Sequence, residues 1–192
     1  EETKMILEVG EWVMRHAVAE VKSWMDQGLP PMRLAVNFSS LQVEQANLVD
    51  QVISTLAEFD FPPHYFELEI TENNMMHDLE GMVQKMQILA DHGITVAIDD
   101  FGTGYSSLSY LHMLPIHTVK LDQSFVRNIQ AVDLEVCIVN AICAMAHGLR
   151  LNIVAEGVEN QPQYDYLKSL GCQQVQGYLI SEALPGEALM QF

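Results

Sequence analysis

Six short runs rich in β-branched residues alternate with helix-like segments along nearly the whole chain. Strands that alternate with helices at this spacing are typical of parallel βαβ units, so the pattern predicts an α/β fold. Six strands suit an open doubly wound sheet, whereas a closed (β/α)8 barrel needs eight strands and about 250 residues. The predicted strands are Arg33–Ser39, Phe66–Thr71, Thr95–Asp99, Thr118–Asp122, Asn152–Glu156 and Gln174–Gln176.

The predicted helices fill the segments between these runs. A leading helix over residues 1–27 ends before Gly28-Leu29-Pro30-Pro31, which is a stop signal. Further helices are expected over Leu41–Phe59, from about Asp78 to His92, from about Ser106, from about Asp133 to His147, and after each of the last two strands. The sequence shows no linker or low-complexity tract, so residues 1–192 are expected to form a single domain.

The charge balance is strongly acidic, with 26 acidic and 9 basic side chains and a net charge of −17. Such a surface repels nucleic acid polymers and anionic membranes, so neither is an expected partner of this segment. No apolar run approaches the ~18 residues of a membrane span. The three cysteines show no metal-ligand spacing, which favours a reducing, cytoplasmic location and leaves open a membrane tether elsewhere in a longer protein.

Every predicted strand carries polar residues at or near its carboxyl end, where parallel barrels place their active sites. A buried, unpaired charge is costly, so these groups must pair with one another or with ions. A lone aspartate at a strand end often caps the next helix, but six such positions favour a shared site. The residues are Asn37, Glu69, Asp99 with Asp100, Lys120 with Asp122, Glu156 and Gln176.

The residue types indicate the chemistry of this site. Carboxylates and an amide carbonyl are hard oxygen ligands, which suit Mg²⁺, Mn²⁺ or Ca²⁺, and the absence of His and Cys from the set disfavours zinc. Adjacent Asp99 and Asp100 suit two metal ions about 4 Å apart, which activate a water for an in-line phosphoryl displacement. Lys120 would hold that water or offset charge on a phosphate oxygen.

Six motifs resemble those of EAL-type cyclic di-GMP phosphodiesterases, in the same order and over nearly all 192 residues. They read NFS, ELEITE, DDFGTGYSSLSYL, VKLDQSFV, VAEGVEN and VQGYLIS. The resemblance implies a TIM-like (β/α)8 barrel of the EAL type, here incomplete with about six of the strands. It also implies hydrolysis of cyclic di-GMP to linear pGpG in bacterial second-messenger signalling, with two Mg²⁺ or Mn²⁺ ions as cofactors.

The resemblance further implies roles for individual residues. Metal contacts fall to Asn37, Glu69, Asp99, Asp100 and Glu156. The catalytic pair is Glu156, as a candidate general base, and Lys120, on the water or phosphate. Substrate contacts fall to Gln176, Asp122 and Pro185. Glu72, together with Glu159, is assigned to anchoring the loop after Asp100, through which a homodimer is expected.

The Glu-Ala-Leu motif of that family, whose Glu binds metal, is missing from its family position before the first predicted strand; the same three residues occur only after the last predicted strand, at 182–184 and 187–189. In the family it lies upstream of the segment with which this chain opens, which agrees with a count two strands short of eight. We therefore expect an N-terminally truncated domain from a longer protein that also carries a regulatory GGDEF or sensor domain.

Two other interpretations remain open at this point. A catalytically inactive EAL-type receptor would bind cyclic di-GMP and signal through a partner domain. An enolase-like barrel would use Lys120 as an acid/base group beside metal-bound carboxylates.

Overall fold

The computed structural model describes residues 5–72, 79–103, 111–127, 129 and 133–190. Its sheet has six parallel strands whose spatial order follows their order in the sequence. Sequential order is that of a barrel wall, whereas the strand order of a doubly wound sheet reverses at a switch point. The strands are β1 (Leu34–Phe38), β2 (Phe66–Thr71), β3 (Thr95–Phe101), β4 (Thr118–Leu121), β5 (Asn152–Ala155) and β6 (Gln174–Val175).

Helices alternate with the strands in the described residues, as the sequence pattern predicts, apart from the connection between β3 and β4, which is described only in part. They are α1 (Met5–Asp26), α2 (Ser40–Glu44), α3 (Leu48–Glu58), α4 (Leu79–Asp91), α5 (Gln123–Arg127), α6 (Asp133–Gly148), α7 (Gln161–Ser169) and α8 (Gly186–Leu189), with a 3-10 turn at Pro63–Tyr65. Among the described residues, none of these helices is both long and apolar enough to cross a bilayer.

The single helix predicted over Leu41–Phe59 is wrong, because the chain breaks it into α2 and α3. Ser39 and Gln42 form a capping box that starts α2. Gln45 then adopts an extended backbone, with φ −59° and ψ 133°, which ends that helix. The change of direction lets α3 bury Leu48 and Val52 in the core. The helix predicted from about Ser106 lies outside the described residues.

The sheet has one apolar face and one polar face. Alternate residues of the strands, including Phe38, Leu68, Ile98, Val119 and Ile153, join a buried apolar core with residues of the helices. Residues between them lie on the opposite face, because side chains alternate along a strand. Register pairs such as Asn37 with Glu69, Ala97 with Thr118 and Lys120 with Val154 extend this second face across the sheet. We call it the polar face.

Candidate functional site

Lys120, on β4, lies at the centre of the polar face and is only 4% exposed. Its ammonium contacts three carboxylates: Glu156 Oε1 at 2.7 Å, Glu69 Oε2 at 2.8 Å and Asp99 Oδ1 at 3.1 Å. Glu69 belongs to β2 and Asp99 to β3, whereas Glu156 directly follows β5. One buried cation therefore joins the ends of four neighbouring strands.

The charges of this cluster shift one another's pKa values. Burial lowers the pKa of Lys120, but its hydrogen bonds to Glu156 and Glu69 outweigh burial and raise it overall. Burial is also the main influence on Glu69 and Glu156, and it raises both pKa values despite the attraction of Lys120. The contacts with three carboxylates therefore stabilise the charged form of Lys120 in this cluster.

Asp99 and Asp100 lie at an irregularity of β3. The pairing of β3 with β4 shifts register between Ile98 and Phe101. Asp100 has a φ of 53°, in the left-handed region, and its N–H donates to Asp99 Oδ1 at 3.0 Å. Neighbouring residues of a regular strand point to opposite faces, so this irregularity is what allows both carboxylates to reach one place.

Asp99, Asp100 and Glu156 form a candidate cation site. Each can offer one carboxylate oxygen such that the three oxygens all lie within 4.8 Å of one another. Three hard oxygen donors suit Mg²⁺, Mn²⁺ or Ca²⁺. The neighbouring groups also favour a cation, because three carboxylates contact Lys120, whose one ammonium can neutralise only one negative charge. The donor set therefore fits a divalent metal ion.

Asn37 and Glu69 complete the polar face beside this cluster. They are register partners on β1 and β2, so their side chains leave the sheet on the same side. Asn37 is exposed, whereas Glu69 is buried against Lys120. Their assignment as metal ligands stays a prediction.

Glu72 lies at the end of β2 and is buried. Its Oε2 accepts a hydrogen bond from the N–H of Gly102 at 3.1 Å. Gly102 has a φ of 94°, a conformation that suits glycine. The contact joins β2 to the first residues after β3. Residues 104–110, where the predicted dimer loop continues, lie outside the described part of the chain.

Asp122 directly precedes α5 and lies beside Asp100. Its Oδ1 accepts from the backbone N–H of Ser124 at 2.9 Å and from the Ser124 hydroxyl. Burial raises the pKa of Asp122, but these and other hydrogen bonds lower it overall. The pKa of Asp100 is raised, first by burial and then by the charges of Asp99 and Asp122.

A cavity of about 270 Å³ adjoins the cluster at the carboxyl ends of β4, β5 and β6. It brings together Glu156, Glu159 and Gln176 of the predicted site residues. The cavity is lined by Gln123, Arg127, Glu156, Gly157, Glu159, Gln176, Gly177 and Tyr178.

Glu159, which lines this cavity, and Pro185 each have a further contact or position to note. Glu159 pairs with Arg127 at 3.9 Å on the rim of this cavity. Pro185 is exposed and directly precedes α8, whose first residue, Gly186, lies against Glu20 and Trp24 of α1. Their roles stay predictions.

A second group of polar contacts lies on the polar face and was not predicted from the sequence. Buried Glu67 accepts from the Thr118 hydroxyl at 2.9 Å and pairs with Arg33 at 3.1 Å. Glu67 stands two residues before Glu69, so strand periodicity alone places both on one face. Gln163 was also missed, although Asn160 and Gln163 have the spacing of a capping box.

Replacing Thr118 by Val should lower the free energy of unfolding by about 1–3 kcal/mol, because Glu67 loses a buried hydrogen bond while the side-chain volume is nearly unchanged. Urea unfolding of the full-length protein measures this. Thr95→Val is the matched control, since the Thr95 hydroxyl donates at 3.2 Å to the uncharged carbonyl of Phe66. An equal loss in both variants would contradict a special contribution from Glu67.

The fold and the cluster define an incomplete parallel (β/α) barrel with a candidate cation site, made of carboxylates, at the carboxyl ends of its strands. A family model described as the EAL domain matches residues 1–183, and the chain belongs to that family. The resemblance read from the motifs is confirmed.

Similar proteins agree with this assignment. MucR of Pseudomonas aeruginosa, described as a bifunctional diguanylate cyclase/cyclic di-GMP phosphodiesterase, is 40% identical over 190 residues, or 99% of this chain and 28% of MucR. The structure of the MucR phosphodiesterase with cyclic di-GMP has a TM-score of 0.94 at 39% identity, covering 98% of this chain and 76% of that one. The predicted incomplete TIM-like barrel is confirmed.

BlrP1 of Klebsiella pneumoniae, solved with manganese and cyclic di-GMP, has a TM-score of 0.79 at 26% identity, covering 90% of this chain and 43% of that one. The chain spans 24 to 28% of the length of the first curated relatives that it matches.

Proposed function

We propose that this chain is the phosphodiesterase domain of a bacterial signalling protein, and that it hydrolyses cyclic di-GMP to linear pGpG with two Mg²⁺ or Mn²⁺ ions. The observation that carries the proposal is the Asp99, Asp100 and Glu156 cluster beside buried Lys120. The cluster lies at the carboxyl ends of parallel strands in a member of the EAL domain family. MucR and BlrP1, which are similar to this chain, were both solved with cyclic di-GMP.

Asp99, Asp100 and Glu156 would hold the metal ions, together with Asn37 and Glu69. Bound divalent ions supply an activated water and stabilise the charge that develops on phosphate oxygens. The water adds across one phosphodiester bond of the cyclic dinucleotide, so that the P–O3′ bond breaks and the 3′ oxygen leaves with a proton.

The side chains around the proposed metal ions would have separate roles in the reaction. Glu156, as the proposed general base, would take up the proton that the attacking water loses. Lys120 stays protonated and offers a fixed positive charge to a phosphate oxygen. Gln176 and the cavity beside Glu156 would receive part of the nucleotide, with Asp122 and Pro185 as further predicted contacts.

The whole protein is proposed to be longer than this chain. We expect a single EAL domain, of which this chain is an N-terminally truncated part, joined to a regulatory GGDEF or sensor domain in a cytoplasmic protein. The loop after Asp100, anchored through Glu72 and Glu159, is proposed to contact a second copy in a homodimer.

Turnover of cyclic di-GMP by the full-length protein tests the proposal. With Mn²⁺ present, chromatography should show linear pGpG as the product, and a chelator should abolish its formation. Turnover that is indifferent to the chelator would contradict the metal site. Tight binding of cyclic di-GMP without turnover would instead support the inactive receptor.

A further inference from the structure

Gln163, in the first turn of α7, is 3% exposed and uses both ends of its side-chain amide. Its Oε1 accepts from the N–H groups of Glu159 at 2.8 Å and Asn160 at 3.2 Å. Its Nε2 donates to the carbonyl of Val126, in α5, at 3.2 Å. One buried side chain thus joins the loop after β5 to a helix that follows a different strand.

The same loop packs directly on α5 at a second point. Gly157 has a φ of 67°, and a Cβ added there would lie 2.5 Å from the Cβ of Gln123. Only glycine permits so close an approach in this backbone conformation. The loop that carries Glu156 is therefore held along α5 from Gln123, at its first residue, to Val126 near its end.

The beginning of α5 belongs to the candidate site. Asp122 directly precedes this helix, accepts from Ser124 N–H at 2.9 Å and lies against Asp100. Helix α5 therefore touches Asp100 through Asp122, and the Glu156 loop through Gly157 and Gln163. Asp100 and Glu156 are two of the three carboxylates in the candidate cation cluster.

We infer that Gln163 is a positioning residue, which fixes the Glu156 loop on α5 and thereby sets the distance between the carboxylates of Glu156 and Asp100. This inference rests on the proposed function, since it concerns a ligand of the proposed metal site. Hydrogen bonds around a metal ligand commonly decide its orientation, although they never touch the metal.

A purely structural role for Gln163 explains only half of its contacts. The capping box with Asn160 uses Gln163 Oε1 and the N–H of Gln163, and it stabilises the start of α7. Glutamate serves equally well at this position of a capping box. The bond from Nε2 to Val126 contributes nothing to the cap, and glutamate would replace that donor by an oxygen facing a carbonyl.

Three variants of the full-length protein separate the two roles. Gln163→Met removes every hydrogen bond of the side chain, whereas Gln163→Glu keeps the cap and loses the donor to Val126. Asn160→Ala is the matched control, since it removes the acceptor of the cap and leaves the Val126 bond in place. Isothermal titration calorimetry gives the Kd for Mn²⁺, steady-state kinetics give kcat and KM, and thermal unfolding gives Tm.

Both Gln163 variants should raise the Kd for Mn²⁺ about tenfold and lower kcat by a similar factor with little change in KM, on the scale of other residues that orient metal ligands. Asn160→Ala should lower Tm and leave the Kd and kcat within about twofold of the wild type. If Gln163→Met does not fold, Gln163→Glu decides alone, because it retains the cap.

An unchanged Kd for Mn²⁺ in Gln163→Glu would overturn the inference and leave Gln163 as a helix cap. The same holds if Asn160→Ala weakens Mn²⁺ binding as much as Gln163→Met. Mn²⁺ binding without turnover of cyclic di-GMP would overturn only the proposed hydrolysis, since the Kd values still test the inference. A wild-type protein that binds no Mn²⁺ would overturn the metal site and the inference together.

Discussion

Replacing Asp99 by Asn is expected to lower kcat for cyclic di-GMP by about 100-fold or more, because the variant loses one charged oxygen ligand of the proposed metal pair. Asparagine has nearly the same side-chain size and shape as aspartate. The amide that replaces the carboxylate keeps an Oδ1 that accepts from the N–H of Asp100, the partner at 3.0 Å in the wild type. The fall in activity should therefore come with little change in Tm, and with a higher Mn²⁺ concentration for half-maximal activity.

The control variant is Asp165→Asn, which also removes one negative charge from this acidic protein but at a position away from the proposed metal site. Asp165 is exposed on α7, where its Oδ1 accepts from the side chain of Gln161 at 2.8 Å. Asp165→Asn should keep wild-type kcat and the wild-type Mn²⁺ requirement. If Asp99→Asn behaved like this control, Asp99 would not be a metal ligand and the proposed site would have to be moved.

Much of the fold follows from local sequence pattern. The β2 bounds agree with the predicted strand, because Phe66–Thr71 contains β-branched and aromatic residues and follows the turn residues Pro62-Pro63. The break between α2 and α3 was not predicted. It depends on the extended backbone of Gln45, and the spacing of apolar residues gives no sign of that conformation. Helix α5 was also not predicted, since five residues are too few to show an amphipathic period.

The meeting of the strand-end residues was also predictable, because the carboxyl ends of parallel strands share one edge of the sheet. Glu69, Asp99, Lys120 and Glu156 do lie in one cluster. Two features needed three-dimensional information. The register shift that brings Asp100 beside Asp99 depends on a left-handed φ, and the bond from Gln163 to Val126 joins residues 37 positions apart.

Lys120 has the largest expected effect on stability. Replacing it by Met leaves Glu69, Asp99 and Glu156 without the ammonium that contacts them at 2.7 to 3.1 Å. Removing one partner of a buried ion pair commonly costs about 3–5 kcal/mol, because the remaining charge stays buried and unpaired. Urea unfolding of the full-length protein in the presence of a chelator should show a loss of this size.

Two conditions should return part of the stability that Lys120→Met loses. Mn²⁺ should return part of it, because a bound cation replaces the missing positive charge.

Acidic pH should also return part of the stability that Lys120→Met loses. Burial raises the pKa of Glu69 and Glu156 in the folded protein, and without Lys120 both pKa values should rise further. A group whose pKa is raised by folding binds its proton more tightly in the folded state, so its contribution is present at low pH and fades as the pH rises. The deficit of Lys120→Met should therefore be smaller near pH 5 than near pH 8.

Lys85→Met is the matched control for Lys120→Met, since it removes a lysine that serves no carboxylate cluster. Lys85 Nζ donates at 2.8 Å to the uncharged carbonyl of Val43. Its replacement should cost no more than about 1.5 kcal/mol, and neither Mn²⁺ nor acid should recover the loss. Wild-type stability of Lys120→Met in chelator at pH 8 would mean that the three carboxylates do not share a buried charge, and the electrostatic basis of the proposed metal site would fail with it.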